Sequence, residues 1–204
     1  MRFFIDGTEW SFPHMDSLSR EEQLEALREK VASEDRVIVD MLSDGESLDE
    51  ADLMTVPDDI DVDVYTDTPW GVGLEILDEI KNSLLAVFKN LQGALDSSVP
   101  FEPSALDEAK RQMEWVREAA DSFRDAYPEY TGIFPDAGEL MQSVEQFEEY
   151  LSEGHYAEAQ AWHEQTWKKE LLPPFLENVR NFKEWLDEKN RQDLDPADTK
   201  VNSQ

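Results

Sequence analysis

Two hydrophobic periods divide this chain. Up to about residue 67, apolar and polar positions largely alternate, with one helical interruption; beyond residue 73, apolar positions recur every three or four residues. "RFFIDGTEWSF", residues 2–12, reads as a hairpin, because Asp6-Gly7 suits a two-residue turn that needs positive φ. That register puts Phe3, Ile5, Trp10 and Phe12 on one face, and Arg2, Phe4, Glu9 and Ser11 on the other. Ser19 and Glu22 stand at capping-box spacing ahead of a helix that starts near Arg20 and buries Leu24, Leu27 and Val31. "RVIVDML", residues 36–42, is short and β-branched and predicts a third strand; Asp44-Gly45 then turns the chain, and Ser47 with Glu50 suits a short helical turn. "DIDVDVYTD", residues 59–67, alternates Ile60, Val62 and Val64 with Asp61, Asp63 and Tyr65, which predicts a strand with one wet face. An EF-hand loop starting at Asp59 would need glycine at its sixth position and Glu at its twelfth, where Val64 and Trp70 stand; a weak surface cation site on the aspartate face stays open.

"TDTPWGVG", residues 66–73, breaks both periods and reads as a linker over 68–73. Helical stripes follow: Leu77, Ile80, Leu84, Val87, Phe88, Leu91 and Leu95; then Leu106, Ala109, Met113, Val116, Ala120 and Phe123; then Leu140, Val144, Phe147 and Leu151, closed by Gly154. Asp107 with Ser104, and Glu139 with Asp136, supply the expected helix starts. Pro173-Pro174 is expected to separate the last two helices, the second of which buries Phe175, Val179, Phe182 and Leu186. Residues 192–204 lack apolar anchors and read as a disordered tail.

The expected fold is therefore α+β. A small ββαββ domain over residues 1–67 is followed, over 74–191, by an antiparallel four- or five-helix bundle. In element order the first domain resembles a β-grasp, ubiquitin-like unit. Within residues 153–186, Gly154 and Tyr156 open a helix, and Glu170, Leu171 and Pro173 join it to the next. This stretch resembles the carboxy-terminal helical hairpin of uncharacterised helical-bundle proteins found with bacterial motility genes. That resemblance implies an accessory or chaperone-like role and no reaction.

Charge changes the picture most. The 204 residues hold 48 acidic and 18 basic side chains, a formal net charge of −30. Such a field opposes nucleic acid and anionic lipid and favours basic partners, cations or a salty medium. The absence of cysteine excludes disulfides, thiolate catalysis and Cys-ligated metal, and fits a cytoplasmic location. No signal-peptide h-region or spanning apolar run is visible.

Catalytic chemistry finds little support. Of the three histidines, His155 and His163 lie eight residues apart, about 12 Å along a helix, too far to share one metal. Glu does not stand three residues before either one, as a di-iron bundle requires: those positions are Ser152 and Gln160. No nucleophile elbow or phosphate-binding glycine loop occurs. No catalytic residue, metal ligand or cofactor is nominated. The preferred expectation is a non-enzymatic interaction module for a basic or amphipathic protein segment, with Trp115, Trp162, Trp167, Trp185 and Tyr156 as contact rings. Two alternatives stay open: an enzyme or sensor that uses carboxylates and a divalent cation, and a halophilic surface on a protein of another function.

Overall fold

The computed structural model describes residues 1–12, 14–57, 59–96 and 101–194. The protein is α+β, with a small mixed five-stranded sheet in its amino-terminal part and a helical remainder. Two compact units, Met1–Val72 and Gly73–Gln204, each have their own core.

The sheet contains β1 (Arg2–Ile5), β2 (Thr8–Trp10), β3 (Val37–Ser43), β4 (Glu46–Ser47) and β5 (Asp61–Asp67), in the spatial order β2-β1-β5-β3-β4. Asp6 and Gly7 take φ of 46° and 80°, so the hairpin turn is the one their residue types favour, and Phe3 faces Trp10 as the alternation requires. β1 pairs β5 in parallel and β3 pairs β5 antiparallel. In β5, Val62 and Val64 are buried while Asp61, Asp63 and Tyr65 are exposed, so the alternating aspartates are the wet side of a strand.

Helix α1 (Arg20–Ala32) covers the apolar face. Its capping box is complete: the Ser19 hydroxyl accepts from the Glu22 N–H, and the Ser19 N–H donates to the Glu22 carboxylate. Leu24, Leu27 and Val31 meet Phe3, Val62, Val64 and Leu53, with Ile5, Trp10, Phe12, Ile38 and Met41 around them. The sheet has one strand more than the four expected, a short one inserted between the strands at 36–42 and 59–67. β4 has two residues, and a short helix α2 (Glu50–Leu53) follows, capped by Asp49 and not by Ser47. The Arg20 guanidinium donates to the carbonyls of Leu53 and Val56, which ties α2 to the start of α1.

The expected linker over 68–73 is instead the start of a helix, α3 (Pro69–Asp96). Pro69 occupies the first helical position, where its missing N–H costs nothing, and the Thr68 hydroxyl accepts from the Gly71 N–H. The glycines here serve close packing. A Cβ on Gly71 would collide with the Asp67 carboxylate, and one on Gly73 would collide with the Tyr127 hydroxyl and press on Leu186. Gly93, in the same helix, meets nothing within 4 Å. Gly93→Ala should therefore raise stability by about 0.5–1 kcal/mol, the usual helical gain. Gly73→Ala should lower it by about 1–3 kcal/mol through overpacking. Paired urea titrations check the opposite signs.

The later helices are α4 (Asp107–Ala126), α5 (Gly138–Ser152), α6 (Tyr156–Trp162) and α7 (Leu172–Leu194). Their expected stripes are buried, from Leu106 to Phe123, from Leu140 to Leu151, and from Phe175 to Leu186. A single 3-10 turn (Pro103–Leu106) precedes α4, so Ser104 lies inside that turn and caps nothing. Gly154, at φ 77°, ends α5. The expected break at Pro173-Pro174 does not occur. A π-helical segment, His163–Leu171, connects α6 directly to α7. The His163 N–H still bonds to the Ala159 carbonyl four residues back, whereas the Leu172 N–H bonds to the Trp167 carbonyl five residues back. Two consecutive prolines cannot donate and would strike the carbonyls of Lys169 and Glu170 at α pitch; the wider coil ahead of them relieves that clash. Residues 192–194 continue α7, and the rest of the expected tail, 195–204, lies outside the described residues.

Candidate functional site

The five rings nominated from the sequence do not form one surface. Tyr156 is exposed, and Trp115, Trp162 and Trp185 are half-buried. Trp167 has 0% exposure and offers a partner nothing; it is a core residue on the inner side of the π-helical segment. Trp162 packs on Phe147 and Trp167, with centroids 5.4 and 6.1 Å apart. Trp185 belongs to a different group, stacked on Phe182 at 5.8 Å and tilted against Tyr130 at 5.2 Å.

That second group is built by the loop after α4. Tyr130 and Phe134 fold onto Phe182 at 4.7 and 5.3 Å, and Phe123 and Tyr127 reach it from α4 and its end at 5.0 and 5.6 Å. Gly132 is what lets the Tyr130 ring lie back on the loop, since any Cβ there would enter the ring. Burial, with Glu129 nearby, pushes the Tyr127 phenol up to about 12, so it stays neutral at physiological pH. Arg124 lies over Phe134 at 5.9 Å and Lys189 over Trp185 at 5.7 Å. These cations cap the rings and leave the group a packed core with a charged rim.

The π-helical segment holds the one fully buried histidine of the described residues. His163 has 0% exposure, and neither ring nitrogen has a hydrogen-bond partner; the same holds for the Trp167 indole N–H. The Phe88 ring lies 5.1 Å from the imidazole and Phe147 6.3 Å. Burial lowers the His163 pKa below its ordinary value; Glu164 and Asp96 pull it up, and Lys168 pushes it further down. The Glu164 carboxylate stands 3.9 Å from Nδ1, beyond hydrogen-bond range. At neutral pH the imidazole is thus a neutral core group set among aromatic rings.

A third region was not nominated from the sequence. Between α1 and β3 lies a groove of about 470 Å³, whose lining includes Val31, Ala32, Ile38, Met41 and Leu48. Its edge strand is half open. β4 covers β3 only at Leu42 and Ser43, and the Leu48 N–H donates to the Met41 carbonyl; among the described residues no strand lies on the side of residues 37–40 that faces away from β5. The pairing with β5 skips Val39, a β-bulge that leaves this side chain 46% exposed, next to Val37 at 36%. Both arginines of the groove are engaged. Arg28 pairs with Glu50 and Glu25, and Arg36 donates to the Thr66 hydroxyl and carbonyl at 2.5 and 2.6 Å and stands 3.4 Å from Asp6. Burial raises the Asp6 carboxyl, but hydrogen bonds from the Thr66 hydroxyl and N–H, with Arg36, outweigh it and hold its pKa below the ordinary value. No sequence signal marks this edge, because it depends on β4 being only two residues long.

Among the described residues no carboxylate is buried, and no three metal-ligating side chains are grouped to hold an ion. No described helix is long and apolar enough to cross a membrane. No protein-family model matches the chain, and neither a curated protein nor a solved structure matches it.

Proposed function

We propose that this protein is a non-enzymatic, acidic interaction module, adaptor or chaperone-like in role, that holds a basic or amphipathic segment of another protein in the cytoplasm. Its amino-terminal unit is read as a β-grasp unit, which the strand order and the parallel β1–β5 pair support. Its helical unit is read as an antiparallel bundle. Gly73 beside Leu186, Asp78 paired with Lys183 and Phe88 against His163 support this, because the partner number falls as the α3 number rises.

The observation that carries the proposal is the groove between α1 and β3. It is an apolar recess, beside exposed valines, on a chain whose acids are solvated and whose groove arginines are already paired. Such a recess supplies contact area, and the surrounding acids supply steering and discrimination against acidic partners. The tagged full-length protein should recover a stoichiometric partner from native lysate at low salt, and much less of it at high salt. Recovery of no stoichiometric partner at any salt concentration would remove the reading.

A further inference from the structure

The register of the sheet fixes which backbone groups of β3 face outward. The Thr66 N–H donates to the Asp6 carboxylate, and the Asp6 N–H donates to the Val64 carbonyl, so Val64 and Thr66 direct their peptide groups toward β1. Thr66 is the register partner of Ile38. Ile38 therefore belongs to a non-hydrogen-bonded pair with β5 and turns its own N–H and C=O away from β5, toward the groove. Met41 follows the same rule, and its carbonyl is the one taken by Leu48. Ile38 is the uncovered equivalent, flanked by the outward-facing side chains of Val37 and Val39.

We propose that the open edge of β3, residues 37–40, accepts a short extended segment of a partner protein as an added strand, and that this segment carries apolar residues at alternate positions and lysine or arginine on its flanks. The inference rests on the interaction reading above and names how the partner is held. Main-chain bonds to Ile38 supply the pairing, and the groove lined by Val31, Ala32, Met41 and Leu48 takes the alternate side chains. Charge selects the flanks. Glu34 is already paired with Lys30, so the acids left at the edge are Asp35 before it, Asp40 at its close, and Asp44 and Glu46 after it, while Arg28 and Arg36 are neutralised by their own acids. The same charges disfavour a second copy of this chain, which would bring identical acidic flanks together. The bulge at Val39 limits the added strand to a few residues, as edge bulges do.

The test is an amide-resolved NMR titration of the full chain with two synthetic peptides. Both have the same alternating valine–threonine core; one is flanked by lysines and the other by glutamates. The lysine-flanked peptide should shift the Ile38 amide, slow its exchange with solvent, and bind about tenfold or more tightly than the glutamate-flanked one. The exposed double variant V37K/V39K should keep the dispersion of the native spectrum and lose about tenfold in affinity for the lysine-flanked peptide. An Ile38 amide that neither shifts nor slows at millimolar lysine-flanked peptide overturns the proposal, whatever the variant does. So does equal binding of the two peptides, or a self-association that protects Ile38 without peptide. If a lysate partner is recovered while Ile38 stays silent, the strand-addition inference fails and the interaction reading stands; loss of both removes both.

Discussion

Phe182→Ala lowers the unfolding free energy by about 3–5 kcal/mol, the range for truncating a buried phenylalanine. Phe182 has no exposed surface and touches Phe123, Tyr127, Tyr130, Phe134 and Trp185. Four of those rings come from α4 and the loop after it, so the substitution removes the residue on which that loop is seated. The void cannot close by a simple shift, because Gly132 and Gly73 already bring their backbones against Tyr130 and Tyr127. Urea unfolding followed by tryptophan fluorescence measures the loss, with Trp185 as an internal reporter. A change below about 1 kcal/mol would show that the rings repack and that Phe182 is not their centre.

His163→Leu should raise stability by about 1–3 kcal/mol at neutral pH, the range for a buried polar group left without a partner. Leucine keeps an apolar contact with Phe88 and Phe147 and removes two unsatisfied nitrogens. The pH dependence has a definite sign. Burial lowers the folded-state pKa of His163 below its unfolded value of about 6.5. The unfolded chain therefore binds the proton more readily, and stability falls as pH drops below about 6.5, until the folded-state pKa is reached. The groups facing the imidazole are Glu164 and Asp96, which favour its charged form, and Lys168, which opposes it. The stability gap between His163→Leu and the wild type should thus widen from pH 7 downward. Parallel thermal melts across that interval cancel the common effect of protonating the carboxylates. A gap that shrinks on acidification would mean that the imidazole gains a partner when charged.

Local chemistry accounts for what the sequence reveals. Asp6-Gly7, the Ser19–Glu22 box and the alternation of Val62 and Val64 are written within a few residues, and each appears as read. The helical stripes are equally legible, because period alone sorts inside from outside. What escaped depends on partners far along the chain. Gly71 and Gly73 look like a flexible joint until Asp67, Tyr127 and Leu186 are seen against them. Pro173-Pro174 looks like a break because the rule for prolines assumes α pitch, and a change to five-residue bonding evades it. Trp167 reads as a contact ring until its full burial against Trp162 is seen. The open edge at Ile38 was invisible for another reason: an uncovered strand is defined by a neighbour that stops early, and β4 stops after two residues.

The parallel pairing of β1 with β5 has a consequence for biosynthesis. Of the five strands of this sheet, the one made first occupies its interior, yet one of its two neighbours is the one made last. Until Asp61–Asp67 emerges, β1 has only β2 to lean on, and Phe3 and Trp10 lack their sheet neighbour. Closure of this unit is thus a long-range event that waits for its last strand, and the excess of aspartate and glutamate around it disfavours association of unfinished chains in the meantime.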